Sequence, residues 1–128
     1  MKVGACVFAV VAIAGCDFSR SHGPPGSGVV TGIVQLPAGT SSETCDQMSV
    51  KASFPNGDHV GRSDVHASHG RCLYEINGLP EDQDLSVEVK SAGWTCQSGA
   101  APAFAPANPS FQLKKYETRM VDFKATCG

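Results

Sequence analysis

Cysteine and histidine are the residue types in this chain whose chemistry depends most on where they stand. The sequence has six cysteines and four histidines among its 128 residues. A thiol at the end of an N-terminal apolar run is a site of acylation, thiols in an exported chain oxidise in pairs, and closely spaced thiols and imidazoles bind zinc. The spacing of these residues therefore decides which chemistry each one can carry out.

The N-terminal segment resembles the signal sequence of a bacterial lipoprotein. Lys2 is followed by an apolar run over 3–13, which is shorter than the ~20 residues that a membrane-spanning helix needs. The run ends in the string IAGC at positions 13–16, which matches a lipobox: an aliphatic residue and two small residues before a cysteine. We therefore predict that residues 1–15 are a signal peptide and that Cys16 is lipidated, with palmitate among its acyl chains.

Acylation of Cys16 determines where the rest of the protein would lie. Two or more acyl chains anchor a protein stably to a membrane, so we expect a location in the bacterial cell envelope, facing the periplasm or the cell surface. Residues 16–28 are polar and rich in Gly and Pro, which predicts a flexible tether between the anchor and a domain over 29–127. The membrane is thus the first predicted partner.

Four cysteines remain after the signal peptide and the anchor, namely Cys45, Cys72, Cys96 and Cys127. An even number in an exported chain predicts two disulfides, for which three connectivities exist. Cys72 and Cys127 continue the inward faces of their predicted strands, which favours the pairing Cys72–Cys127 with Cys45–Cys96. Zinc is disfavoured because no two of these cysteines form a CxxC pair.

Histidine offers the main route to a catalytic metal. His59, His66 and His69 lie near predicted turns, and they define one alternative, a metal-dependent enzyme. Residues three positions apart, such as His66 and His69, lie on one face of a helix but on opposite faces of a strand, and we predict a strand there. We also find no nucleophile elbow and no phosphate-binding glycine loop, so we predict no catalytic residues, no metal and no cofactor.

Composition and charge exclude several classes of function. Apolar residues make up 41% of the chain and charged residues 17%, which is typical of a globular protein. The net charge of −2 gives no basic excess, so we expect no nucleic-acid partner. Fourteen glycines and eight prolines favour many turns and short elements.

The domain has apolar residues with a period of two, which indicates strands. Alternation is clear over 29–36, 48–54, 72–76, 85–89 and 121–125, and weaker over 59–68 and 111–113. Seven alternating strands separated by turns predict an all-β, seven-stranded antiparallel β-sandwich of the transthyretin-like or Ig-like kind.

One long segment, 93–110, departs from this pattern. It is rich in Ala and Pro and contains Trp94 and Phe104. Loops of this length in a compact domain are usually functional or mobile. The segment is a candidate binding loop with Trp94 and Phe104 as its anchors, but we favour the alternative in which Trp94 packs in the core and the rest is a surface excursion.

Four strings of the domain form a recognisable series. They are VTGIV at 30–34, SVKA at 49–52, GRCLYEINGLP at 70–80 and the stretch 85–93 with Trp94 after it. The first, second and fourth look like strands of the carboxypeptidase regulatory-like domain, and the third looks like its glycine, aromatic and Gly-Leu-Pro segment. The resemblance covers about 29–126. It departs from the family in lacking a Thr-Asp pair before Gly70 and in the length of 93–110. It implies a seven-stranded, prealbumin-like sandwich that acts as a non-catalytic folding, spacer or binding module.

These expectations combine into one functional prediction. The chain is expected to be a non-catalytic, envelope-anchored lipoprotein whose β-sandwich acts as a structural or binding module toward an envelope protein or polysaccharide. The first alternative is a periplasmic inhibitor or immunity-type protein that inserts the segment 93–110 into the active site of an exported enzyme. The second is the metal-dependent enzyme described above.

Overall fold

The computed structural model describes residues 26–127, and the predicted signal peptide, the lipidation site Cys16 and most of the tether lie outside the described residues. The described chain is mostly β-strand, with one short 3-10 helix over Ser42–Gln47. Its strands, in chain order, are β1 (Gly28–Gln35), β2 (Met48–Ser53), β3 (His59–Asp64), β4 (His66–Ser68), β5 (Arg71–Leu79), β6 (Leu85–Ser91), β7 (Ala103–Ala105), β8 (Ser110–Phe111), β9 (Thr118–Met120) and β10 (Phe123–Thr126).

The strands form two sheets, as expected for an all-β, sandwich-like domain. The first sheet has the order β4-β5-β1-β10-β7, with β9 also paired to β1, and the second has the order β3-β2-β6-β8. The described residues thus contain ten strands and not the predicted seven. One reason is that the predicted strand over 59–68 divides at Val65, where the chain leaves the second sheet and enters the first.

The predicted alternation of buried and exposed side chains is confirmed in the central strands. Val30 and Val34 of β1 are buried, and the same holds for every second residue of β2 and of the stretches 72–76 in β5 and 85–89 in β6. Because side chains of a strand alternate between the two faces of its sheet, one face of each strand contributes to a common core. The core of the described residues contains Val30, Val34, Met48, Val50, Ala52, Cys72, Tyr74, Ile76, Leu79, Leu85, Val87, Val89, Leu113 and Phe123.

The C-terminal strands correct the prediction of a wholly antiparallel sheet. β9 and β10 both run parallel to β1, with Met120 opposite Thr31 and Phe123 opposite Val34. The chain is interrupted between them at Val121 and Asp122. Parallel pairing needs a long crossover, and here the whole domain between β1 and β9 supplies it.

Both disulfides form, but their pairing differs from the predicted one. Cys45 pairs with Cys72 and Cys96 with Cys127, so the prediction of Cys72–Cys127 with Cys45–Cys96 was wrong. Cys45 lies in the 3-10 helix, where the two-residue parity of strands does not apply, and that helix packs against β5. β7 pairs with β10, with Ala103 opposite Thr126, which brings the segment before β7 beside Cys127.

The two ends of the domain differ in what they contain. We call the end where β1 begins the tether end; it includes Gly26 and Ser27 and the C-terminal end of β5, since Gly28 pairs with Leu79. We call the opposite end the far end. Val34 pairs there with Cys72, and the 3-10 helix lies there because Met48, which follows it, pairs with Ser91 at the end of β6. Both disulfides therefore lie at the far end.

Candidate functional site

The far end contains two grooves, one on each side of the segment that follows β1. The first, which we call the Arg71 groove, has a volume of about 470 Å³, and the second, the Trp94 groove, about 640 Å³. Both are lined in part by Pro37 and Thr40. Volumes of this size fall in the range of small-ligand sites, ~300–1,000 Å³.

The Arg71 groove combines an apolar floor with charged and polar groups. Its lining includes the exposed guanidinium of Arg71, the carboxylate of Asp122 and the hydroxyls of Thr40 and Ser42. The remaining lining comes from 33–37, 70, 72 and 123. Asp122 is already engaged, because its Oδ1 accepts a 2.9 Å hydrogen bond from the backbone N–H of Ile33. Arg71 is thus the group best able to bind an anionic or hydrogen-bond-accepting ligand in this groove.

The Trp94 groove lies between the segment 37–40 and the segment 94–98, with Cys127 also in its lining. Trp94 itself is half-buried, and its ring meets that of Phe104 edge to face, with 6.4 Å between the ring centroids. Both rings pack against the core. The structure therefore agrees with the favoured expectation, in which Trp94 packs against the core, and a binding role for the segment 93–110 stays a prediction.

One exposed part of the segment 93–110 is a small closed loop over 96–100, in which Cys96 is the buried residue. Cys96 donates its N–H to the carbonyl of Ala100 at 2.9 Å, and Gly99 donates its N–H to the carbonyl of Cys96 at 2.8 Å. Gly99 has a φ of +88°, which a residue without a Cβ adopts freely. The Cys96–Cys127 disulfide ties this loop to the last strand. The bond restricts the movement of the loop, which carries Gln97 and Ser98 on its exposed side.

The structure does not bring the three candidate metal-binding histidines together. His59 begins β3 at the tether end, whereas His66 lies beyond the other end of that strand, about 20 Å away at the rise of an extended chain. His69 is exposed in the turn before β5. Among the described residues, no group of three His, Cys, Asp or Glu side chains could hold a metal ion.

A buried tyrosine joins β5 to the interruption between β9 and β10. The hydroxyl of Tyr74 donates a 2.6 Å hydrogen bond to the carbonyl oxygen of Val121. Burial, together with the negative charge of nearby Asp122, raises the pKa of this phenol well above its usual value. The neutral phenol is therefore a structural hydrogen-bond donor at physiological pH.

A charged turn over 114–117 lies at the tether end. Glu117 accepts a 2.7 Å hydrogen bond from the backbone N–H of Lys114 and pairs with Arg119 at 2.9 Å. These contacts, led by the backbone hydrogen bond of Lys114, lower the pKa of the Glu117 carboxyl. The backbone N–H of Tyr116 donates to the Oγ of Ser27 at 2.8 Å, which fixes the turn beside the entry of the chain.

Comparison with other proteins identifies no relative. No protein-family model, no curated protein and no solved structure matches this chain. Within residues 26–127, the structure contains no helix that is long and apolar enough to cross a membrane.

Sequence reasoning did not find the groove residues. Arg71, Asp122 and Thr40 come from three distant parts of the chain, and only Arg71 stands in a motif, the string at 70–80, which gives it no binding role. They meet because β5 and β10 both flank β1, and β10 does so in a parallel register that the alternation of apolar residues cannot reveal.

Proposed function

We propose that this protein is a lipid-anchored protein of the bacterial cell envelope whose β-sandwich is a non-catalytic binding module. Cys16 carries the acyl chains, the residues between Cys16 and Gly26 space the domain from the membrane, and the far end of the domain binds an envelope protein or polysaccharide. The periplasm or the cell surface is its location.

The observation that carries this proposal is the pairing of all four cysteines between 26 and 127. Cys45 with Cys72 and Cys96 with Cys127 form two disulfides, and such bonds persist in oxidising compartments outside the cytoplasm. Each encloses about thirty residues, a loop for which cross-linking stabilises a domain by roughly 3–4 kcal/mol. A domain of about 100 residues buries a limited core, so these bonds contribute much of its stability.

We further propose that the domain is a carboxypeptidase regulatory-like sandwich. In support, Gly32, the central glycine of the VTGIV string, lies where any Cβ would meet the carbonyl oxygen of Val121. Gly78, in the Gly-Leu-Pro string, has a φ of +72°, and Leu79 and Pro80 are buried. The backbone approach at Gly32, the positive φ of Gly78 and the burial of Leu79 and Pro80 thus explain why these residue types occur at these motif positions. The parallel pairing of β1 with both β9 and β10 is a feature that this assignment must accommodate.

The orientation of the domain relative to the membrane anchor supports binding at the far end. An anchor before Gly26 places the tether end nearest the membrane and the two grooves on the opposite side. The Arg71 guanidinium and the hydroxyls of Thr40 and Ser42 suit a ligand with hydroxyl or acidic groups, such as a polysaccharide or an acidic protein loop.

Export and lipidation can be tested in one experiment. The full chain is expressed in a bacterial host with labelled palmitate, beside a Cys16→Ser variant. We expect the unmodified protein to incorporate label, to begin at Cys16 by mass spectrometry and to have no alkylatable thiol in the folded domain, and we expect the variant to take up no label. Retention of residues 1–15, or four free thiols in the domain, would overturn the proposal.

A second candidate function, binding of an exported enzyme, is favoured by the closed loop over 96–100. Rigid loops tied by disulfides bind with little loss of conformational entropy, as enzyme inhibitors require. A photoreactive residue at Ser98, which is exposed, should crosslink one envelope enzyme, whereas the same residue at the exposed Asn56 of the tether end should not. Equal crosslinking from both positions, or none, would argue against this candidate.

A further inference from the structure

The two most exposed large hydrophobic side chains of the described residues lie close together in sequence. Tyr116 is 76% exposed and Met120 is 70% exposed, and both belong to the segment 114–120. Large apolar side chains that are this exposed indicate an interaction surface when they cluster, because exposed apolar patches mark such surfaces. The two residues before Tyr116 are the exposed cations Lys114 and Lys115.

This segment is attached to the first described residues of the chain. The N–H of Tyr116 donates to Ser27 Oγ at 2.8 Å, and the N–H of Val29 donates to the carbonyl of Glu117 at 3.0 Å. β9 then continues along β1, with Thr118 opposite Val29. Tyr116 thus stands beside the point at which the chain from Cys16 enters the domain, and Met120, opposite Thr31, lies further along, near the middle of β1.

We propose that the segment 114–120 is a membrane-contact surface, which seats Tyr116 and Met120 in the headgroup region of the bilayer that holds Cys16. This inference rests on the proposed lipid anchor and goes beyond it, since it sets the orientation of the domain. The occupant of the surface is the lipid of the anchoring leaflet itself.

The length of chain between anchor and domain supports this occupant. Cys16 precedes Gly26 by ten residues, which span at most about 35 Å when extended and about 15–20 Å on average when flexible. The tether end therefore remains within a short distance of the bilayer. A contact that is weak by itself becomes effective under these conditions, because the anchor makes it intramolecular.

The chemistry of the segment suits a headgroup layer. Tyrosine combines an apolar ring with a hydroxyl and is enriched at membrane interfaces, and lysine reaches lipid phosphates from an apolar stem. The Nζ of Lys115 lies 5.3 Å from the centroid of the Tyr116 ring, so cation and ring already face one direction. Glu81, Asp82 and Asp84 lie at the same end, and they offset the two lysines. Insertion of the apolar side chains, and not net positive charge, is therefore the main attraction.

Tryptophan fluorescence tests the proposal, because Trp94 at the far end is the one tryptophan of the chain. The lipidated full-length protein is placed in vesicles of phosphatidylethanolamine and phosphatidylglycerol whose acyl chains carry bromine near the carboxyl end. In a Trp94→Phe background, Tyr116→Trp and, separately, Met120→Trp introduce the reporter. We expect bromolipid quenching and a blue shift at both positions, and no quenching of Trp94 in the unmodified protein.

The outcomes separate this inference from the proposed function. A protein that does not float with the vesicles contradicts the lipid anchor itself. A protein that floats while the tryptophans at 116 and 120 show no quenching overturns the membrane contact alone. Quenching of Trp94 equal to that at 116 would overturn the proposed orientation. Because two reporter positions are used, a folding defect in one variant leaves the other to decide.

Discussion

The hydroxyl of Tyr74 and the carbonyl oxygen of Val121 are joined by a 2.6 Å hydrogen bond across 47 residues of sequence. The same carbonyl approaches Gly32 so closely that a Cβ there would clash with it. The N–H of Val121 donates to the carbonyl of Thr31, and Asp122 accepts from the N–H of Ile33. Three hydrogen bonds therefore hold the interruption between β9 and β10 against β1 and β5.

Gly32→Ala should destabilise the domain strongly. The new Cβ forces the Val121 carbonyl away from β1, and the shift also breaks its hydrogen bond with Tyr74. We expect the free energy of unfolding to fall by about 2–4 kcal/mol, measured by urea denaturation. Gly93→Ala is a matched control, because its Cβ would meet only the flexible side chain of Gln47 at 3.1 Å. A loss of equal size in both variants would contradict the close-approach argument.

Tyr74→Phe tests the hydrogen bond without removing the ring. The substitution leaves the Val121 carbonyl without its donor, and we expect a loss of about 1–3 kcal/mol in the free energy of unfolding at neutral pH. A variant as stable as the unmodified protein would show that this bond makes no net contribution.

The same residue predicts a pH dependence. Burial raises the pKa of Tyr74 in the folded protein, so the unfolded chain releases this proton first, near its ordinary value of 10.0. The folded state then binds more protons than the unfolded state, and stability must fall as pH rises above about 10, by up to ~1.4 kcal/mol per pH unit. Urea denaturation across the alkaline range should show a flatter curve for Tyr74→Phe. Parallel curves for the two proteins would count against this assignment.

The two disulfides should respond differently to reduction. Cys45 and Cys72 are fully buried, whereas Cys127 is exposed at the end of the described chain. Mild reduction of the folded protein, followed by alkylation and peptide mapping, should label Cys96 and Cys127 first. Mapping of the oxidised protein should join Cys45 to Cys72, and a peptide joining Cys72 to Cys127 would contradict the pairing.

Two exposed residues with positive φ offer a matched pair of substitutions. Tyr116 has a φ of +62° and His69 a φ of +53°, a region that costs a residue with a Cβ about 1–2 kcal/mol. Tyr116→Gly and His69→Gly should each raise the free energy of unfolding by about 0.5–1 kcal/mol in thermal or urea denaturation.

Only the first of these variants should affect the membrane contact. His69 lies at the far end, so with a tryptophan reporter at Met120 the His69→Gly protein should keep its bromolipid quenching, while Tyr116→Gly should lose part of it. Equal quenching in the two proteins would show that the Tyr116 ring is not part of the contact.

Much of the fold could be predicted because strand alternation is a local signal. Val50 and Ala52 in β2, and Val87 and Val89 in β6, face the core as their period of two indicates. Turns also depend on residue type, since Gly57 and Gly70 adopt positive φ, which a residue without a Cβ does freely. The segment 103–105 was missed as a strand, because three residues are too few for a periodic pattern to appear.

Residue types and short spacings are enough to indicate that this chain forms β-strands with defined inner faces and that its four domain cysteines can form two disulfides, because both properties are local. The choice of which cysteines meet, which strands lie beside β1 and which residues share a groove with Arg71 follows from the packing of the folded chain. Those relationships depend on how distant segments pack together. The 3-10 helix at Cys45 and the parallel strand at Phe123 change which groups come together. No local sequence pattern predicts either of these two features.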